Sequence, residues 1–102
     1  MAVTFIDRAI PADVLEFASR QQLVPHLERA LRLAESTFAA IRQFGIVVEE
    51  DPDSDERYIV IDVTVDLDAD EVLRRDEAYA RAWVASTPPD VRSRVRLLYH
   101  FA

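Results

Sequence analysis

The chain has 102 residues, half of them apolar, and a formal net charge of −7, which is one domain with apolar material for a single core. The absence of cysteine excludes disulfide staples, thiol catalysis and Cys-ligated zinc, and it fits a reducing cytoplasm. The acidity argues against nucleic acid and anionic membranes as partners, and no apolar run approaches the ~20 residues of a membrane span.

A start at Met1 reads as a complete small protein. Asp7 and Arg8 interrupt the N-terminal segment where an export signal would continue its apolar core. All twelve basic residues are Arg, the mark of a GC-rich coding sequence. The single glycine, Gly45, leaves the turns to Pro, Asp and Ser.

Pro11 predicts the first position of a helix to about Gln22, with Val14, Leu15 and Ala18 on one face. Pro25 opens a second helix to about Phe38. Its Leu27, Ala30, Leu31, Ala34 and Phe38 form a regular amphipathic stripe. The period then falls to two: Phe44, Ile46 and Val48 alternate with Gln43, Gly45, Val47 and Glu49. After the turn cluster Asp51–Asp55, Ile59, Ile61, Val63 and Val65 share one face of a strand. Tyr58, Val60, Asp62, Thr64 and Asp66 share the other. The pair reads as an antiparallel hairpin.

Asp68 and Glu71 resemble a capping box for a helix to about Ser86, with Val72, Asp76, Tyr79, Ala80 and Trp83 along one side. Pro88 and Pro89 end that helix or start a short turn. Val95, Leu97, Tyr99 and Phe101 alternate in a last strand. The expectation is an α+β fold of order α-α-β-β-α-β with a three-stranded, mainly antiparallel sheet. The last strand is placed beside the first and antiparallel to it, and a right-handed crossover is favoured for the final β-α-β step. The second helix and the Trp83 helix cover one face. Val47, Tyr58, Val60 and Leu98 lie on the other and need the first helix or another subunit over them.

The charge is concentrated. Residues 49–71 hold eleven of the nineteen acidic residues and one base, Arg57, a candidate docking surface for a cationic partner. Asp51, Asp53 and Asp55 have calcium-loop spacing, but Glu56 stands where an EF-hand needs glycine, and Asp62 where it needs glutamate. They read as a solvated hairpin tip. Asp66, Asp68, Asp70 and Glu71 read as acids favoured by a helix N-terminus. His26 and His100 have no metal-ligand spacing. One glycine excludes a nucleophile elbow, a P-loop and a dinucleotide fingerprint, and no lysine excludes Schiff-base chemistry. Arg92, Arg94 and Arg96 are the basic counterpart, with Arg94 and Arg96 on one face of the last strand near His100 and Gln43 or Glu49. Trp83 reads as a core anchor whose indole N–H finds an acceptor.

The acidic turn Asp51-Pro52 to Asp55-Glu56, the strand Ile59–Val65, Trp83-Val84, Pro88 or Pro89, and Arg92-x-x-Val95-Arg96-Leu97-x-Tyr99 together resemble a group of small, uncharacterised bacterial proteins. The resemblance covers roughly residues 45–100 and implies no activity, cofactor or catalytic residue.

The reading is a small cytoplasmic interaction module without catalysis, metal or cofactor, self-associating as a dimer or binding a protein partner. Its candidate surface is Asp51, Asp53, Asp55, Glu56, Tyr58, Val60, Asp62, Arg94, Arg96 and Leu98. The alternative is an acidic, antitoxin-like or accessory protein that neutralises a basic partner through residues 49–71. A third reading is an enzyme or small-ligand binder using Tyr58, Asp62, Asp66 and Arg96 across the sheet.

Overall fold

A computed structural model describes residues 10–38 and 41–101. The segment carrying Asp7 and Arg8 lies outside the described residues. The elements are α1 (Ala12–Arg20), α2 (Val24–Thr37), β1 (Ile41–Glu50), β2 (Arg57–Val65), α3 (Ala69–Ser86), α4 (Pro89–Arg92) and β3 (Val95–Phe101). The fold is α+β in the expected order, with the short α4 added where Pro88 and Pro89 interrupt the chain.

Pro11 is the extended N-cap of α1 rather than its first residue. The helix stops at Arg20 through a hydrogen-bonded C-terminal turn. Gln22 adopts φ 60 and donates to Ser19 O, and Leu23 N–H donates to Ala18 O at 2.7 Å, the pattern that normally places glycine at the left-handed position. Ala18 and Leu23 are both buried beneath this turn. The α2 stripe is the expected one: Leu27, Ala30, Leu31 and Ala34 are buried, and Phe38 follows them into the core. Asp68 caps α3 by accepting from Glu71 N–H at 2.8 Å.

The sheet is mixed, in the order β1-β2-β3. β1 and β2 form the antiparallel hairpin, but β3 lies beside β2 and parallel to it, not beside β1. The direction of β3 follows from α3. Its 18 residues span about 27 Å and return the chain to the end where β2 began. The choice of neighbour follows from burial. Ile59, Ile61, Val63 and Val65 are fully buried on one face of β2, and Val60 is 4% exposed on the other. β2 is the most buried of the three strands and takes the centre of the sheet. β1, with Arg42, Gln43, Gly45 and Glu49, is left at an edge.

The three longer described helices pack on one face. Ile46, Ile59, Ile61, Val63, Val65 and Val95 join the buried residues of α1, α2 and α3 in one cluster, so α1 adds to the helical layer and does not cover the other face. Aromatic rings run through this layer: Trp83 stacks on Tyr79, Tyr79 meets Phe38, Phe38 stacks on Tyr99, and Tyr99 meets Phe101 edge-on. The Trp83 indole donates to Arg92 O at 3.3 Å, the acceptor its burial required. Two helix ends are closed by arginines from elsewhere. α3 has no base in its last turn; Arg29 donates to Ser86 O, and Arg92 to Val84 O and Thr87 O. Arg75 of α3 donates to Thr37 O at the end of α2.

Candidate interaction surface

Strand pairing builds the uncovered face row by row. Glu49 stands beside Tyr58, Val47 beside Val60 and Arg96, Gly45 beside Asp62 and Leu98, and Gln43 beside Thr64 and His100. Five of the ten candidate residues, Tyr58, Val60, Asp62, Arg96 and Leu98, therefore share one surface. The other five do not. Asp51, Asp53, Asp55 and Glu56 form the hairpin tip at one end, and Arg94 precedes β3.

The polar residues of this face engage one another. The Arg96 guanidinium lies 3.7 Å above the Tyr58 ring, a cation–π contact, and its Nε donates to Ser93 O at 2.7 Å. His100 Nε2 sits 2.6 Å from Asp62 Oδ1. The apolar residues are left over: Val47 is 43% exposed and Leu98 51%. A Cβ at Gly45 would meet nothing within 4 Å, so the face carries a notch beside Asp62.

Arg94 does not share a strand face with Arg96, as alternation alone suggested. The four-residue α4 and Ser93 turn it toward α1, where its guanidinium donates to Gln21 Oε1 at 2.7 Å. Nor do Gln43 and Glu49 neighbour β3; Tyr58 and Asp62 of β2 take that place.

At the hairpin tip the acids build the turn. Asp51 N–H donates to Glu56 O at 2.7 Å, and Asp55 N–H to Asp51 O. Asp53 N–H donates to the Asp51 carboxylate at 2.9 Å, a turn that aspartate closes through its own side chain. Asp55 adopts φ 62. The tip also meets cations of its own chain. Asp55 and Glu56 share a cleft of about 320 Å³ with Arg20, Arg57 and Arg94. Asp51, Glu56 and Asp90 share one of about 110 Å³ with Arg57, Arg94 and Arg96.

Three of the four acids of the second cluster are engaged by the fold, and Asp70 lies in the first turn of α3. Asp66 pairs with Arg42 at 2.8 Å, Asp68 caps α3, and Glu71 pairs with Arg74 and Arg75. Those two hydrogen-bonded guanidiniums, Arg74 foremost, hold the Glu71 carboxyl below the usual glutamate range.

The His100–Asp62 pair and the Gly45 notch were missed by sequence reasoning. The parity of His100 with Leu98 placed it on this face, but its partner depends on which strand lies next to β3. Among the described residues, no helix is long and apolar enough to cross a membrane. The fold and this face define a small α+β protein with a mixed sheet whose described helices cover one side. No protein-family model, curated protein or solved structure gives a significant match to the chain.

Proposed function

We propose that this chain is a small non-enzymatic protein–protein interaction module that self-associates through the part of its sheet left open by the helices. The carrying observation is the asymmetry of the sheet. One face is sealed by three helices, while the other presents Val47 and Leu98 beside polar residues that already hold one another. Apolar side chains rimmed by satisfied polar groups are the composition of a docking surface. The lack of cysteine supports the cytoplasm as its compartment. The acidic hairpin is the weaker surface for a basic partner, because arginines of the same chain already share its clefts.

Light scattering after size exclusion, across protein concentration and at low and high salt, tests the reading. A dimer that persists in high salt is expected of an apolar interface. A strict monomer at high micromolar concentration overturns it.

A further inference from the structure

The two edges of the sheet are built differently. β1 is defended: a register shift between Ile41 and Gln43 breaks its regularity, Arg42, Glu49 and Glu50 lie along it, and the acidic turn follows. Bulges and charges are the devices that keep an edge strand from pairing with another chain. β3 has neither device. It pairs without a shift over seven residues, Val95 to Phe101, contains no proline, and exposes Leu98 and, at 55%, Phe101. Its one arginine is folded over Tyr58, away from the strand edge.

The backbone of β3 is also aimed for pairing. Ile59 N–H donates to Arg94 O at 2.8 Å. In a parallel ladder this turns the backbone groups of Arg96, Leu98 and His100 toward β2. Those of Val95, Leu97, Tyr99 and Phe101 then point outward from the edge.

We infer that two copies join along β3, antiparallel, about a two-fold axis at Leu98, giving one continuous sheet of order β1-β2-β3-β3-β2-β1. The inference rests on the self-association proposed above and places its seam at the β3 border of the open face, with Leu98 at the axis and Val47 outside the contact. The side chains are self-complementary in this register. Leu98 faces Leu98, Leu97 faces Tyr99 of the other copy, and Val95 faces Phe101, all apolar or apolar–aromatic cross-strand pairs. Arg96 of one copy stands opposite His100 of the other, and each is held within its own copy, Arg96 over Tyr58 and the His100 ring by the Asp62 carboxylate. A two-fold axis normal to the sheet keeps both helical layers on the same side, and the contact closes as a dimer. This is strand addition with a second copy as the added strand.

Because the chain has no cysteine, Leu98→Cys carries a single thiol. Residues facing each other across a non-hydrogen-bonded antiparallel pair have Cα atoms about 4.5 Å apart, within disulfide range. Val47→Cys lies on the same open face, but in the joined sheet the two copies of Val47 stand at least about 24 Å apart, five strand spacings. Mild oxidation should convert most Leu98→Cys to a covalent dimer and leave Val47→Cys monomeric. Amide exchange by NMR on the unmodified protein supplies the second reading. Leu97 and Tyr99 should lose exchange as protein concentration rises, while Val47 does not change. A wild-type dimer in which Val47→Cys crosslinks and the Leu97 and Tyr99 amides stay fast overturns the seam but keeps self-association. A wild-type monomer overturns both.

Discussion

His100 Nε2 lies 2.6 Å from Asp62 Oδ1, and this contact ties β3 to β2 diagonally on the face that none of the described helices covers. Both side chains are largely solvent-exposed, so the contact is worth less than about 1 kcal/mol to the fold of one copy. Its larger consequence is to hold the His100 ring, which would stand opposite Arg96 of a second copy, against its own sheet. Asp62→Asn should therefore leave the urea midpoint nearly unchanged while weakening dimerisation severalfold in sedimentation equilibrium. Equal association by the two proteins would remove the held His100 ring from the account of the seam.

Arg92 closes the end of α3 from outside the helix. Its Nε donates to Thr87 O and its terminal nitrogen to Val84 O, both at 3.0 Å. Hydrogen bonds from a charged group contribute about 1.5–3 kcal/mol. Arg92→Ala should lower stability by about 2 kcal/mol in urea titration. Arg92→Lys should recover little, because one ammonium cannot reproduce the planar fork across two carbonyls.

Alternation was enough to assign the residues of β1 and β2 to their faces, because side-chain direction in a strand is a local property. The same holds for the α2 stripe and for Asp68 as a cap. The neighbour of β3 was not local. It depends on β2 being the most buried strand, and Val60, within the largely apolar run Tyr58–Val65, was the available hint. Arg94 was misplaced for a related reason. Strand parity pairs it with Arg96 only if β3 starts early enough, and the turn after α4 starts it at Val95. His100 and Asp62 could be paired only once β2 and β3 were neighbours, so that part of the surface followed the topology and could not precede it.

Gln22 holds the left-handed position at the end of α1. A residue with a Cβ is strained there by roughly 1–2 kcal/mol, partly offset in glycine by the greater entropy of its unfolded chain. Gln22→Gly should raise stability by about 0.5–1 kcal/mol, read as a higher thermal midpoint. A loss would show that the Gln22 side chain contributes a contact outweighing its backbone strain.

Tyr79 is buried between Phe38 and Trp83, and its hydroxyl has no hydrogen-bond partner among the described residues. Burial, with Asp76 nearby, pushes its ionisation upward, so the hydroxyl stays neutral and its desolvation is uncompensated. Tyr79→Phe keeps the ring stack and removes that oxygen. It should stabilise the protein by about 1 kcal/mol. A clear loss of stability would mean that the hydroxyl is satisfied in solution.

Glu71 and Asp76 lie on the same helix with opposite titration shifts, and their variants should separate with pH. Arg74 and Arg75 depress the Glu71 pKa. Its carboxylate therefore stabilises the fold above the ordinary value of about 4.3, and that contribution is lost as pH falls through the depressed folded value. Burial raises the Asp76 pKa. The fold then favours its neutral form, and the penalty of the buried charge grows as pH rises through the raised value. At neutral pH Glu71→Gln should be less stable than wild type and Asp76→Asn more stable. Below the ordinary aspartate value of about 3.9 the Asp76→Asn advantage should vanish. The Glu71→Gln deficit should close as pH falls through the depressed carboxylate value, where the folded carboxylate is protonated. Thermal midpoints of the three proteins from pH 7 to pH 3 read both differences at once. An Asp76→Asn advantage that does not change with pH would assign its effect to packing instead of charge.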